Sequence, residues 1–441
     1  MSLTSPLRNP DTRNAAVMTR RAVWLLMLSL LMPGSAQILA GHRRFGRVLV
    51  ALWLTLVGSA LVAVALYFAA RGWFLGFVTS AFGLVIIQAL ALVAAAIWFI
   101  AAFDTVRLVR FVAVDARRRG WLAALAVFAL VAPAGVASYA AVIASTSNST
   151  LGAVFADTIA VDPIDGKYTF MLLGGDAGKS RIGLRPDSIS FVSVDAVTGQ
   201  VAIVGIPRNL YNAPFSDGSP MLDVWPDGFN CGDECLVSYI YPWAEEHPEL
   251  YPNAIAEGST PGIEATRDAV EGIVGVPVQF YVIIDMNGFK ALIDALGGVD
   301  INVTEKVDVC TNGQPITNTF EVGVQHMDGV TALRYARSRC NITDFDRMRH
   351  QRQIQEAVLR QIKPATVIAE FQHLASASRE MIQTDVPQSM VGTFVDLGGK
   401  ARTLDLIKVE LAPPVIDNLY VDYPLIRQLV HDAMYPPVAE D

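Results

Sequence analysis

Three apolar runs near the start of the chain, at about 48–70, 74–103 and 121–144, decide most of what it can become. A helix needs roughly 20 apolar residues to cross the hydrocarbon core of a bilayer, and each run supplies that. Lipid offers backbone amides no partner, so such runs are expected to be helices. A fourth run, 22–40, differs: Pro33-Gly34-Ser35 interrupts it, Gln37 lies inside it, and both flanks are basic (Arg20 and Arg21 before; Arg43, Arg44 and Arg47 after). With both flanks on one side of the membrane, this run is expected as a re-entrant or interfacial hairpin, and the other three as spans. A cleavable signal peptide fits poorly, because further apolar runs follow the first.

Charge sets the direction of those spans. Residues 1–145 hold 13 of the 34 Lys+Arg and 3 of the 42 Asp+Glu, a balance of +10, which leaves -18 for the rest. The loop 104–120 carries Arg107, Arg110, Arg117, Arg118 and Arg119, which the positive-inside rule puts in the cytoplasm. The turn at Arg71 then lies outside, and so does everything after the last span. The expected division is a membrane anchor over 1–144, a polar linker over 145–165 and an extracytoplasmic body over 166–441, in a multi-pass protein of the plasma membrane. An acidic body outside the cell excludes nucleic acid as a partner, and no Gly-rich lysine loop of the P-loop type is present.

All four cysteines, Cys231, Cys235, Cys310 and Cys340, fall in the exported part. An even count in an oxidising compartment reads as disulfides. Proximity favours Cys231 with Cys235 and hence Cys310 with Cys340, although four cysteines allow three pairings. Zinc is the weaker reading, because no His accompanies them at ligand spacing.

Within the body, strands are expected at 168–173, 188–194, 201–206, 278–284 and 299–303, and helices at 263–274 and 286–296. One more helix and strand are expected within 388–415, and 209–260 reads as a long irregular excursion. Strands alternating with helices predict an α/β fold, an α-β-α layered domain around a mixed central sheet, preceded by an all-α anchor.

One segment stands out against the acidic body. Between Ala332 and Gln351 lie five arginines and His350. Arginine forks hold phosphate bidentately. At about 100° per residue, Asp344, Arg347 and Gln351 share a stripe with Ile354, Val358 and Ile362, so charge lies in line with an apolar face. Arg349, Arg352, Glu356 and Arg360 fall on the other side and read as a solvated face. Upstream, Asp176 closes a strand at a glycine turn, Asp187 opens the next strand after Arg185, and Arg208 follows another. Carboxylates at strand ends beside basic residues can hold a hard cation together with a substrate phosphate.

These pieces occur in a fixed order: Leu172-Leu173-Gly174-Gly175-Asp176, Arg185-Pro186-Asp187-Ser188, Ile206-Pro207-Arg208-Asn209, Phe289 with Asp294-Ala295-Leu296-Gly297-Gly298-Val299, Ala332 with Ala336-Arg337-Ser338-Arg339, and Asp344-Phe345-Asp346-Arg347 with Gln351. In that order they resemble the LytR-CpsA-Psr family of cell-wall phosphotransferases, over residues 168–362. The resemblance implies transfer of a glycopolymer phosphate from an undecaprenyl- or decaprenyl-diphosphate carrier onto peptidoglycan, with Mg²⁺ (or Mn²⁺) as cofactor. It implies an apolar tunnel for the lipid beneath the sheet. Asp176 and Asp187 would bind the metal, and Arg185, Arg208, Arg337, Arg339 and Arg347 would grip the diphosphate. Asp344 and Gln351 would complete the site, with Asp344 activating the acceptor hydroxyl.

Phosphoryl transfer depends on positioning and on neutralising phosphate charge, which suits forks and a metal. An anchor in the bilayer suits a substrate that never leaves it. Four positions depart from the family pattern: Gly178 where an Arg is frequent, Asn209 for Asp, Ser188 for Thr, and His350 for Arg. They bear on metal geometry and on how the second phosphate is held. Two other functions stay open on these residues: hydrolysis of polyprenyl diphosphates, and a non-catalytic lipid-binding regulator of envelope assembly. Phe280, Tyr281, Phe289 and Tyr335 are candidates for the tunnel wall, each also suited to ordinary core.

Overall fold

The computed structural model describes residues 8, 10–156, 158–175, 186–232, 235–310, 318–338, 340, 342–361 and 382–436. Asp176, Arg185, Arg339 and Ile362 lie outside them, as does Gly178. The chain divides into two compact units, Met1–Ser149 and Thr150–Asp441.

The first unit consists, among its described residues, of helices α1 (Ala15–Leu31), α2 (Ser35–Ala40), α3 (Arg43–Ala69), α4 (Arg71–Thr79), α5 (Ala81–Val109) and α6 (Arg119–Val154), with one short 3-10 turn. Asn14 caps α1 by accepting from the Ala16 and Val17 amides. The Pro33-Gly34-Ser35 break behaves as its residues predict, separating α1 from α2. Gly34 sits at φ 97°, and a Cβ there would meet the Gly46 carbonyl at 2.6 Å. Only glycine lets α2 and α3 approach so closely. Gln37, inside the apolar run, donates through Nε2 to the Ala101 carbonyl (2.8 Å) and to Thr105 (3.0 Å) on α5, so its amide nitrogen is satisfied within the helices.

Two expectations are corrected here. The run 74–103 is not one helix, because Ser80 ends α4 and caps α5 by accepting from the Gly83 amide (3.0 Å). The expected linker 145–165 is helical as far as Val154, since α6 runs 36 residues through Pro133. Among the described residues, helices α3, α5 and α6 are the three that are long and apolar enough to cross a membrane.

The second unit centres on a six-stranded mixed sheet. Strands β1 (Lys167–Gly175), β2 (Pro186–Asp195), β3 (Val201–Ile206), β4 (Phe280–Asp285), β9 (Ile382–Thr384) and β10 (Ile407–Glu410) run in the order β10-β3-β2-β1-β4-β9. β1 pairs antiparallel with β2 and parallel with β4, while β3 pairs antiparallel with β2 and parallel with β10. Alternate residues go to opposite faces. Met171, Leu173, Phe191, Val204 and Ile283 enter a core with helices α7 (Val237–Glu245), α8 (Pro261–Val274) and α13 (Tyr423–Met434). Phe170, Leu172, Val192 and Ile203 pack on the other face with Leu359 of α11 (Asp344–Gln361) and Ala401 of α12 (Val391–Ala401). Burial on both faces explains why β1, β3 and β4 read as nearly unbroken apolar runs.

The strand at Val299–Val303, β5, forms as expected but leaves the central sheet. It pairs with β8 (Gly323–Met327), and β6 (Val307–Val309) pairs with β7 (Asn318–Phe320). These two ribbons share a separate core with Ile293 of α9 (Met286–Ala295), Tyr335 of α10 (Gly329–Arg337) and Ile354 of α11. The excursion 209–260 is mostly irregular, but it contains α7, whose Pro242 and aromatic residues mask its helical spacing. Both cysteine pairs are bridged, Cys231–Cys235 and Cys310–Cys340.

Candidate active site

The strand ends bring the first groups together. β1 and β4 run parallel with Gly174 opposite Ile284, and β2 begins beside them with Ser188 opposite Gly174. Asp187 therefore stands where two strands end and a third starts. Crevices at the carboxyl ends of strands are where α/β sheets bind ligands. Arg208 follows the end of β3, next to β2 in the sheet.

Helix α11 supplies the other wall. Thr343 accepts from the Asp346 amide (3.2 Å), and the Asp346 carboxylate accepts from the Thr343 amide and hydroxyl (both 2.8 Å). This reciprocal cap fixes where the helix begins, and so places Asp344 in its first turn with Arg347 and Gln351 along one face. Arg208 bridges the two walls. Its Nη1 donates to Asp187, and its Nε (3.2 Å) and Nη2 (3.1 Å) donate to Asp344 Oδ2. Asp344 Oδ1 lies 3.2 Å from Arg347 Nη1. Burial opposes the charge on Arg208, but Asp344 and Asp187 outweigh it and raise its pKa. Four side chains from three elements thus form one alternating chain of charge: Asp187, Arg208, Asp344, Arg347.

Two spaces meet at this chain. A narrow polar cleft is lined by Asp187, Ser188, Arg208, Asn209, Asp344 and Gln351, among others. Beneath it, between the sheet and helices α9, α10 and α11, lies a cavity of about 430 Å³ walled by apolar side chains such as Leu172, Val192, Ile203, Val282, Phe289 and Ile354. The charged and amide groups lining that cavity are Asp187, Asp285, Arg337, Arg347, Gln351 and Gln355. Asp187, Ser188, Arg347, Gln351 and Gln355 line both spaces, so the two are contiguous. Phe289 is in the cavity wall, whereas Phe280, Tyr281 and Tyr335 are fully buried core.

Of the residues expected at the site, Asp187, Arg208, Arg337, Asp344, Arg347 and Gln351 converge on these spaces. Arg337 ends α10, where a basic residue suits the helix terminus, and its Nη1 meets the Met286 sulfur. Cys340, bridged to Cys310, belongs to the short connection between α10 and α11.

Arg352 corrects the expected solvated face. It is 4 % exposed, lines the polar cleft, and its Nε and Nη1 have no hydrogen-bond partner among the described residues. Burial lowers its pKa, and Glu410 partly opposes that. A Cβ on Gly205 would fall 1.8 Å from Arg352 Nη2, so the missing side chain in β3 leaves room for the guanidinium. A lone glycine within an otherwise apolar strand signals such a close approach, and it is the sign that could have found Arg352. Arg349 and Arg360 keep to the outer face, paired with Asp346 and Glu356. His350 is 2 % exposed and packs against the Tyr335 ring, tilted by 30° with centroids 4.5 Å apart. It is therefore packed inside the body and is among the lining residues of neither space.

Among the described residues, no three His, Cys, Asp or Glu side chains form a ready metal cage. A hard cation such as Mg²⁺ needs only one or two carboxylates beside a substrate phosphate. Asp187, which lines both spaces, fits that requirement.

A mixed sheet with a charged crevice over an apolar cavity agrees with the comparison of sequences. The profile of the LytR_cpsA_psr family matches residues 136–422, and the chain belongs to that family. The polyisoprenyl-teichoic acid–peptidoglycan teichoic acid transferase TagU of Halalkalibacterium halodurans is 33% identical over 268 residues, 60% of this chain and 75% of that protein. TagU of Bacillus mycoides is 25% identical over 51% of this chain, which spans 62% of that relative, less than two thirds of its length. Among solved structures, that of Bacillus subtilis TagV is 20% identical and has a TM-score of 0.42 over 61% of this chain and 96% of that one.

Proposed function

We propose that the protein transfers a glycopolymer phosphate from a polyprenyl-diphosphate carrier to peptidoglycan. The observation that carries this reading is the joined pair of spaces: an apolar cavity of about 430 Å³ opening onto a cleft lined by Arg208, Arg347 and Gln351. A ligand with a long apolar tail and a doubly charged head has the chemistry for both. The names of the relatives, teichoic acid transferases acting between a polyisoprenyl carrier and peptidoglycan, support the same class.

In the reaction, an acceptor hydroxyl oxygen attacks the phosphorus on the polymer side of the diphosphate. A phosphodiester forms, the bond to the bridging oxygen breaks, and polyprenyl phosphate leaves with its tail still in the cavity. Arg208, Arg337 and Arg347, with Arg185 and Arg339, would hold the phosphate oxygens as charge shifts to the leaving group. Gln351 would donate an amide hydrogen to the same head group. Asp344 would receive the acceptor proton. Both of its oxygens contact guanidinium groups, so accepting that proton would compete with one of those contacts. Asp187 and Asp176 would hold Mg²⁺, which when bound would neutralise negative charge on the diphosphate.

The proposal extends to placement. Helices α3, α5 and α6 would span the plasma membrane, α1 and α2 would form the hairpin on its cytoplasmic side, and the body from residue 166 would be extracytoplasmic. The test uses purified protein, a lipid-linked glycopolymer and peptidoglycan strands. Arg208→Ala is expected to slow polymer attachment by about 10²–10³. Arg208→Lys should recover little, because one ammonium cannot bridge Asp187 and Asp344 as a fork does. Attachment at the wild-type rate in Arg208→Ala would sink the assignment, and release of the polymer without attachment would favour hydrolysis.

A further inference from the structure

A second cleft adjoins the site at Asn209. About 580 Å³ in volume, it lies between the segment leaving β3, through Asn209 and Tyr211, and the loop after β10, through Pro413, Ile416, Asn418 and Leu419. Its size is in the range of ligand clefts, roughly 300–1,000 Å³. It shares Asn209 with the polar cleft and no residue with the apolar cavity. The three spaces therefore run in series: apolar cavity, charged junction, outer cleft. Arg208 and Asn209 are neighbours in sequence, so the outer cleft begins one residue from the bridging guanidinium.

The walls are built and fixed. The Tyr211 amide donates to the Asn418 carbonyl (3.3 Å), and the Tyr423 hydroxyl donates to the Tyr211 carbonyl (2.6 Å). Asp417 accepts from the Leu419 (2.8 Å) and Tyr420 (3.3 Å) amides. Asn418 packs its side-chain carbonyl inward at this wall, where Oδ1 is buried and, among the described residues, accepts no hydrogen bond.

The lining chemistry selects the occupant. No Lys or Arg is among the described lining residues, and Asp417 is the one charged side chain there. A phosphate-rich polymer would find no counter-charge and one repulsive carboxylate. Tyr, Leu, Ile and Pro offer flat apolar surface, while the amides and the carboxylate suit hydroxyl and N-acetyl groups. We infer that this cleft receives the acceptor: an uncharged stretch of N-acetylated glycan, with its reactive hydroxyl delivered past Asn209 to the charged junction. The inference rests on the transferase reading above, under which the donor's tail and head take the other two spaces.

Two measurements on the detergent-solubilised full chain test it. In the first, uncrosslinked peptidoglycan glycan oligomers are added without donor, and backbone hydrogen exchange is followed. Slowed exchange is expected at 209–211 and 415–420, and unchanged exchange there would overturn the inference. In the second, Asn418→Ala combined with Leu419→Glu is expected to raise the acceptor KM by about tenfold or more with the donor KM unchanged. Leu419 is 59 % exposed, so the charge at that position leaves the core intact, and an unchanged melting temperature confirms it. A rise in donor KM instead would assign the cleft to the donor's polymer and overturn the inference. Exchange protection in a wild type that releases polymer but attaches none would sink the transferase reading and leave the glycan cleft standing.

Discussion

At the scale of single residues, the sign of a charge was easier to read than its surroundings. Arg347 and Gln351 were legible because a helical stripe put them in line with Ile354, and they do line the cavity. Arg352 was not, since angle around a helix cannot show that the sheet opposite carries a glycine at position 205. The pairing of Arg208 with both Asp187 and Asp344 likewise joins residues 21 and 136 positions apart, a relation no local pattern encodes. His350 gives the residue-scale prediction. Burial first, and Arg349 second, push its pKa down to about 4. In the unfolded chain the imidazole takes up a proton as pH falls through about 6.5, while in the folded chain it stays neutral down to about 4. Stability from this group is complete above pH 6.5 and is lost as pH falls to 4, by on the order of 3 kcal/mol. His350→Phe keeps a ring on Tyr335 and should flatten that part of the stability–pH curve in chemical denaturation. An identical slope in the variant would refute the prediction.

At the scale of elements, the central strands and the helices α8 and α9 were legible because their apolar periods and end signals agree. Thr260 caps α8 and Gly275 closes it, and Asp285 caps α9. What local patterns could not reveal was membership. Val299–Val303 reads as a strand whether it joins the central sheet or, as here, a ribbon with Gly323–Met327. The α4–α5 break at Ser80 was hidden because hydropathy is continuous across it. The two disulfides differ in what they constrain, and that difference is measurable. Cys310–Cys340 closes a span of 30 residues and Cys231–Cys235 one of 4. Loop-closure entropy makes the first worth about 3–4 kcal/mol and the second about 2. Cys340 also holds the connection between α10, which ends at Arg337, and α11, which begins at Asp344. Replacing Cys310 and Cys340 with Ser should therefore lower the melting temperature more than replacing Cys231 and Cys235. Only the first pair should also raise the donor KM. Equal losses from both pairs would contradict the loop argument, and an unchanged donor KM would detach the bridge from the site.

At the scale of the whole molecule, the division of charge is the organising fact. A balance of +10 over residues 1–145 and -18 over the rest describes two parts suited to different sides of a membrane. The connection from α5 to α6 holds Arg110, Arg117 and Arg118, with Arg107 and Arg119 in the adjoining helix turns. Basic loops of this length resist export. The α3–α4 junction carries a single arginine, Arg71. Under the proposed placement of α3, α5 and α6 as spans, the parity would set the N-terminus and the α5–α6 connection inside and both Arg71 and the body outside. The break at Ser80 leaves that parity intact, because α4 has only 9 residues, about half of what a crossing needs. Alkaline phosphatase fused after Asp115 should therefore be inactive in cells, and active when fused after Ser149. A cytoplasmic reporter should show the reverse pattern. Activity of both phosphatase fusions would mean that α6 does not cross, and inactivity of both would place the body in the cytoplasm, away from any peptidoglycan acceptor. Exchanging Arg107 and Arg110, which precede the fusion point, for Gln should then weaken the retention of this loop and yield a mixed population of the two orientations, read as partial phosphatase activity after Asp115.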